Sequence, residues 1–201
     1  MNRRDFLKGA GAAAIVPVAI PGAIWGSSPD ATIATPKFPP ISAVVYDERY
    51  ADCKIFADAL VRYGAVAFPA NADSAQLWYG SLRVHLAEYP GRVAGLTTYA
   101  DFSVSQSCGR ELSLATLYEG SHDARRSKTN LTHRLRAVDD AREIAAAMPG
   151  AHAPWAESLA NALSRLPSTR DAALRNVATA TTPRSPGHPG YLASWLLSPR
   201  Q

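Results

Sequence analysis

The chain is poor in the residues and spacings that announce common chemistries. Its 201 residues include two cysteines, Cys53 and Cys108, which stand 55 residues apart. That is no metal-ligand spacing. The five histidines, His85, His122, His133, His152 and His188, contain no i, i+4 pair. No structural zinc or haem site is therefore expected, and no metal centre. No Gly-x-Ser-x-Gly elbow occurs, so the α/β-hydrolase signature is missing. No glycine-rich turn follows a strand, and no Lys-Ser/Thr pair stands ready for phosphates, so no nucleotide cofactor is expected. Gly9-Ala10-Gly11 lacks both a preceding strand and a third glycine. The apolar stretch 9–25 is broken by Gly9, Gly11, Pro17, Pro21 and Gly22. A spanning helix needs about 20 mainly apolar residues, so no stable membrane anchor is expected. No cysteine near the end of that stretch offers a lipid attachment site.

What is present at the start is an address. The chain opens Met1-Asn2-Arg3-Arg4-Asp5-Phe6-Leu7-Lys8, a basic start followed by the weak apolar stretch and small residues. A surface helix would be amphipathic, whereas this one is apolar all round. Arg3, Arg4, Phe6, Leu7 and Lys8 resemble the twin-arginine export signal, with Asn2 where a small hydroxyl residue is usual. The resemblance implies passage through the twin-arginine (Tat) translocase and a periplasmic destination. It implies a signal peptide at 1–26, while composition and periodicity predict a flexible Ser-, Thr- and Pro-rich linker at 27–40, a single α/β domain with C-terminal helices at 41–166, and a Pro-rich tail with an apolar end at 167–201. Cleavage after Gly26 leaves 175 residues, enough for one core. Removing Arg3, Arg4, Lys8 and Asp5 lowers the formal charge from +4 to +2. So small a charge gives no argument for nucleic acid or an anionic membrane as partner.

From residue 41 short β-branched runs alternate with 3.6-period stripes. Strands are expected at 41–46, 65–68, 92–97 and 114–118, with helices at 51–63, 74–88 and 101–112 between them. Alternation of this kind implies parallel strands joined by right-handed crossovers. The expected fold is α/β: a small doubly wound, mainly parallel four-stranded sheet with helices on both faces. Residues 131–148, with Leu135, Val138 and Ala145 inward, predict a helix. Trp155, Leu159, Leu163 and Leu166 space as another. Residues 167–190, with Pro167, Pro183, Pro186 and Pro189, predict a loop or tail. The 41–123 span is also similar in general layout to small exported α/β proteins. Cys53 and Cys108 fall on helices expected on opposite faces, which excludes a disulfide between them.

Ligands in open parallel sheets bind beyond the carboxyl ends of the strands. That places Asp47, Glu48 and Arg49 after the first strand, and Asn71 and Asp73 after the second. Thr97, Thr98, Tyr99 and Asp101 follow the third. Glu119, Ser121, His122 and Asp123 follow the fourth. Thr97 and Thr98 lie where a helix start would hold an anion, or where Thr98 or Asp101 simply caps the helix. Asp47 and Glu48 suit a ribose or a cation. Ser121-His122-Asp123 has hydrolase residue types, but adjacent side chains rarely form a relay, so it reads as a solvated loop. Arg125, Arg126, Lys128, Arg134 and Arg136, interrupted by Asp139 and Asp140, read as a solvated helix face. The best-supported role is a non-catalytic binding or accessory module with a periplasmic protein partner or a small anionic ligand. The alternative is a small periplasmic hydrolase or transferase working at the strand ends.

Overall fold

The computed structural model describes residues 40–70, 73–139, 141–148, 153–167 and 173–200. The twin-arginine motif, most of the spacer, and Asn71 lie outside the described residues. Seven strands form one sheet: β1 (Ile41–Tyr46), β2 (Val66–Pro69), β3 (Arg92–Thr97), β4 (Leu114–Asp123), β5 (Asn130–Ala137), β6 (Asn176–Pro183) and β7 (Tyr191–Pro199). Their spatial order is β2-β1-β3-β7-β4-β5-β6. Strands β1, β2 and β3 are parallel, and every pairing from β3 through β7 to β6 is antiparallel. The α/β class holds, but the sheet is mixed and larger than the four parallel strands expected.

The parallel half follows the sequence pattern. Helix α1 (Ala51–Val61) joins β1 to β2, and a helical run joins β2 to β3. That run consists of α2 (Ser74–Leu77), a π-type turn at Trp78–Leu82 and α3 (Arg83–Glu88). Asp73 caps it, its Oδ1 accepting from the Gln76 N–H at 2.9 Å. The chain reverses across β1 between these two crossovers, so right-handed connections put them on opposite faces. Phe56 and Leu60 of α1 enter one core, with Val44, Leu96 and Leu135. Trp78 and Leu82 enter the other, with Val45, Val93, Trp195 and Leu197. Helix α4 (Tyr99–Glu111) lies on the second face; α5 (Ala141–Ala147) and α6 (Trp155–Arg165) lie on the first. Cys53 is buried in the first core and Cys108 in the second, and both thiols are free, as the crossover argument requires.

Three expectations are corrected. The fourth strand continues to Asp123, so Ser121-His122-Asp123 is strand and not a solvated loop. The span 131–166 is not purely helical, because β5 occupies its start. Leu131 and Leu135 are four apart, a spacing that fits a helix face and a strand face equally. Exposed Thr132, Arg134 and Arg136 between buried Leu131, His133, Leu135 and Ala137 show period two. Finally, the Pro-rich segment after 167 supplies strand β6, and the apolar end supplies β7 in the middle of the sheet. Strand β7 is apolar along Leu192–Leu197 except at Ser194, because helices cover both of its faces there.

Helix α6 ends on a buried cation. Arg92, 2% exposed, donates to the Leu166 carbonyl at 2.6 Å and the Ser164 carbonyl at 3.2 Å. A guanidinium there satisfies carbonyls that the last turn leaves open and complements the negative end of the helix. Burial lowers its pKa.

Candidate functional site

Most strand-end candidates are occupied with one another. Asp47 is fully buried, and Arg49 grips it with Nε to Oδ1 at 2.9 Å and Nη2 to Oδ2 at 2.6 Å, while the Arg49 N–H adds a third bond at 3.0 Å. This fork raises the Arg49 pKa. Asp123 and Arg125 repeat the arrangement at the end of β4, with bonds of 2.9, 2.9 and 2.8 Å. The Arg125 fork holds Asp123 down at about 2. An Asp-x-Arg turn thus closes two strands in the same way, and the bidentate fork leaves little of either carboxylate for a ribose or cation. Glu48 is exposed. Thr98 caps α4: its Oγ1 accepts from the Asp101 N–H at 3.3 Å and donates to Asp101 Oδ2 at 2.6 Å. Asp101 also accepts from the Ser74 hydroxyl, and Thr97 donates to the Thr98 carbonyl at 3.1 Å. The capping reading of these residues therefore accounts for their contacts.

His122 sits on the other side of the sheet from Ser121, fully buried. Its Nδ1 is 2.7 Å from His133 Nδ1, and its Nε2 is 2.7 Å from Ser194 Oγ. Ser194 Oγ is 3.0 Å from the Tyr118 hydroxyl, and His133 Nε2 is 2.8 Å from Thr182 Oγ1. One proton order satisfies all of them. Tyr118 donates to Ser194, Ser194 to His122 Nε2, His122 Nδ1–H to His133 Nδ1, His133 Nε2–H to Thr182, and Thr182 to the Pro183 carbonyl at 3.4 Å. The reverse order leaves the buried Tyr118 O–H without an acceptor among the described residues, a costly arrangement. The relay crosses β7, β4, β5 and β6, and Trp155 at the start of α6 seals it, with ring centroids 4.6 Å from His122 and 5.0 Å from His133. The Trp155 indole N–H donates to Ser185 at 3.1 Å, and both side chains oppose the rise that burial causes in the Asp52 carboxyl. Burial is the main cause of every shift here. It pushes His122 well below its ordinary value, His133 down to about 3 and His188 down to about 4, and it raises Asp52 and Tyr118. Within the relay the polar atoms of Tyr118, Ser194, His122, His133 and Thr182 hydrogen-bond one another. None of the four cavities that the described residues form is lined by Asp47, Thr98 or His122.

An aromatic-walled opening lies on the opposite face of the sheet. A groove of about 380 Å³ runs between α4 and the bare side of β4 and β5. Gly120, Ser121 and Ala193 form its floor, Tyr99, Phe102 and Tyr191 one wall, and Arg134, Arg136 and Glu119 the other. The Tyr99 and Tyr191 rings meet edge-on at 6.2 Å, and the Arg125 guanidinium lies 4.9 Å from the Tyr191 ring centroid. Arg136 pairs with Glu119 at 3.3 Å, and Arg125 with Asp123. Among the described residues the Arg134 guanidinium has neither an ion pair nor a hydrogen bond, so its charge is the uncompensated one at the groove. Of the sequence candidates, Glu119 and Ser121 line this groove, and Tyr99 stands in its aromatic wall, 59% exposed. Arg134 was assigned by sequence to a helix face and placed outside any site; its alternation with Thr132 and Arg136 was the signal that it lies on a sheet. A hollow of about 370 Å³ between α5 and α6 is lined by Asp139, Glu143 and Arg165 and has no aromatic wall. Among the described residues no three His, Cys, Asp or Glu side chains are grouped to hold a metal ion.

Residues 1–19 match the model of the TAT (twin-arginine translocation) pathway signal sequence. No curated protein and no solved structure matches the chain. The chain thus carries a signal for export, and that signal implies the Tat translocase as its partner during passage. Among the described residues no helix is long and apolar enough to cross a membrane.

Proposed function

We propose that the mature chain is a periplasmic, non-catalytic binding module whose groove holds a small anionic ligand with a flat ring. The observation that carries this reading is Arg134: an uncompensated guanidinium facing an aromatic wall across a groove of ligand size. Guanidinium groups pair with carboxylate or phosphate through two parallel bonds, and tyrosine rings stack on flat apolar groups. The Ser121 hydroxyl on the floor adds a neutral donor and acceptor. Arg134 is the cation left for a ligand's charge, since Arg136 and Arg125 already have carboxylate partners. The hydrolase or transferase reading has less support, because the acids and hydroxyls at the strand ends are satisfied by their neighbours and His122 faces away from them.

Phenyl phosphate serves as a probe. Added to the mature protein, it is expected to shift the backbone amide resonances of Ser121, Arg134 and Tyr191 while leaving His122 and His133 unmoved. Arg134→Glu should weaken the probe's binding by about tenfold or more, since a hydrogen bond to a charged group contributes about 1.5–3 kcal/mol. Its melting temperature should stay near that of the unaltered protein, because Arg134 is exposed. Equal binding by the variant, or shifts confined to the α5–α6 hollow, would count against the groove.

A further inference from the structure

The two outer strands of the sheet are protected very differently. Proteins blunt an outer strand by keeping it short, by charge, by proline, by a bulge or by a cover. Strand β2 has four residues and ends in Pro69. Strand β6 has eight residues, Asn176 to Pro183, and carries no Asp, Glu, Lys or Arg. Its one proline is the last residue, and its register with β5 runs without a bulge from Ala137↔Asn176 to Asn130↔Pro183. Helix α5 packs over its core-facing side, and a hollow lined by Arg142, Ala145, Ala146 and strand residues 177–181 leaves its flank open among the described residues. Every second residue of such a strand turns its N–H and C=O away from the sheet.

We infer that β6 pairs antiparallel with β6 of a second copy, joining two seven-stranded sheets about a two-fold axis at Thr179. The strand is complementary to itself in that register. Thr179 faces its own mate, Ala178 faces Ala180, Val177 faces Thr181, and Asn176 faces Thr182. Thr–Thr and Val–Thr neighbours are exposed on the open face, and Ala–Ala lies on the helix side, where bulk would hold the strands apart. Val177, 50% exposed, gains cover. No charged side chain of the strand itself meets its like, and the strand's match to its own reversed sequence selects a second copy over an arbitrary foreign strand. The two-fold uses both β6 edges and leaves only the short, proline-ended β2 at the two margins, so the assembly closes at two copies.

Sedimentation velocity on the mature chain over a concentration series tests this. A monomer–dimer equilibrium is expected for the unaltered protein. Thr179→Lys sets two ammonium groups face to face and should weaken the dimer by about tenfold or more, and Thr179→Glu should do the same with carboxylates. Both variants should keep the circular dichroism of the monomer, because Thr179 is exposed; beside Arg134, its register partner on β5, the lysine should lower the melting temperature slightly and the glutamate raise it slightly. An equimolar mixture of the two should regain the dimer, since opposite charges then meet on the axis. A protein that stays monomeric at every concentration, a Thr179→Lys variant that dimerises undiminished, a mixture that fails to reassociate, or growth beyond two copies would each overturn the inference.

Discussion

Acidification from neutral pH toward pH 4 is expected to unfold the mature domain, with most of the loss caused by three histidines. His122, His133 and His188 all have folded-state pKa values below the ordinary 6.5, driven first by burial. Above that ordinary value both folded and unfolded chains hold neutral imidazoles, and the full stability is present. Below it the unfolded chain takes up protons that the folded chain refuses. Stability therefore falls from about pH 6.5 until His188 titrates near about 4 and His133 near about 3. Each excluded proton contributes about 1.4 kcal/mol per pH unit, so three give a limiting slope of about 4 kcal/mol per unit. Other charges near the relay modify this slope. Arg184 lowers His188 further and Asp123 raises it, while Asp52, itself raised by burial, takes its proton first in the folded state and returns part of the loss. Urea midpoints measured at stepped pH check the slope. A midpoint that does not move between pH 7 and about pH 5 would show that the histidines are not held neutral.

The second large effect concerns a glycine in the parallel half. Gly95 of β3 lies directly opposite Trp195 of β7, and the indole ring lies over the glycine. A Cβ added at Gly95 would stand 2.2 Å from Trp195 Cε2 and Cζ2. The ring has no free direction to retreat in, because it is fully buried and stacks at 6.1 Å on Trp78, itself fixed by its N–H to Ser105 at 3.0 Å. Gly95→Ala should therefore destabilise by about 3 kcal/mol, with a fall in melting temperature of about 10 °C. The same substitution made beside Trp195→Leu should cost much less, since the clashing atoms are gone. Additive losses in the double variant would show that the ring does not occupy that space.

The parallel half of the sheet was legible because its inward residues are what a buried strand usually carries. Val44, Val45, Val93, Leu96 and Phe68 form short apolar runs between glycine and proline stops. The antiparallel half was not, and the relay is the reason. Its inward positions include Tyr118, His122, His133, Thr182 and Ser194, so the alternation that marks a half-buried strand is written in polar residues that satisfy each other. The opposite side of β5 carries Thr132, Arg134 and Arg136, and charge on one side with histidine on the other resembles a loop or a solvated helix more than a strand. The proline-flanked β6, built from Val, Ala and Thr, gives still less contrast. The candidate site inherits this blind spot. Glu119, Ser121 and Tyr99 were reachable from the rule that ligands sit at strand ends, whereas Arg134 needed the strand assignment of β5. Local rules did better at the helix starts, where Asp73, and Thr98 with Asp101, cap as their residue types suggest.

Native mass spectrometry of the protein recovered from the periplasm tests the central claim most directly. The account predicts a population heavier than the bare mature chain by one small acidic molecule, and an Arg134→Glu protein recovered in the same way without it. Unaltered protein carrying nothing, or a variant carrying the same molecule to the same extent, would contradict a binding role for the groove.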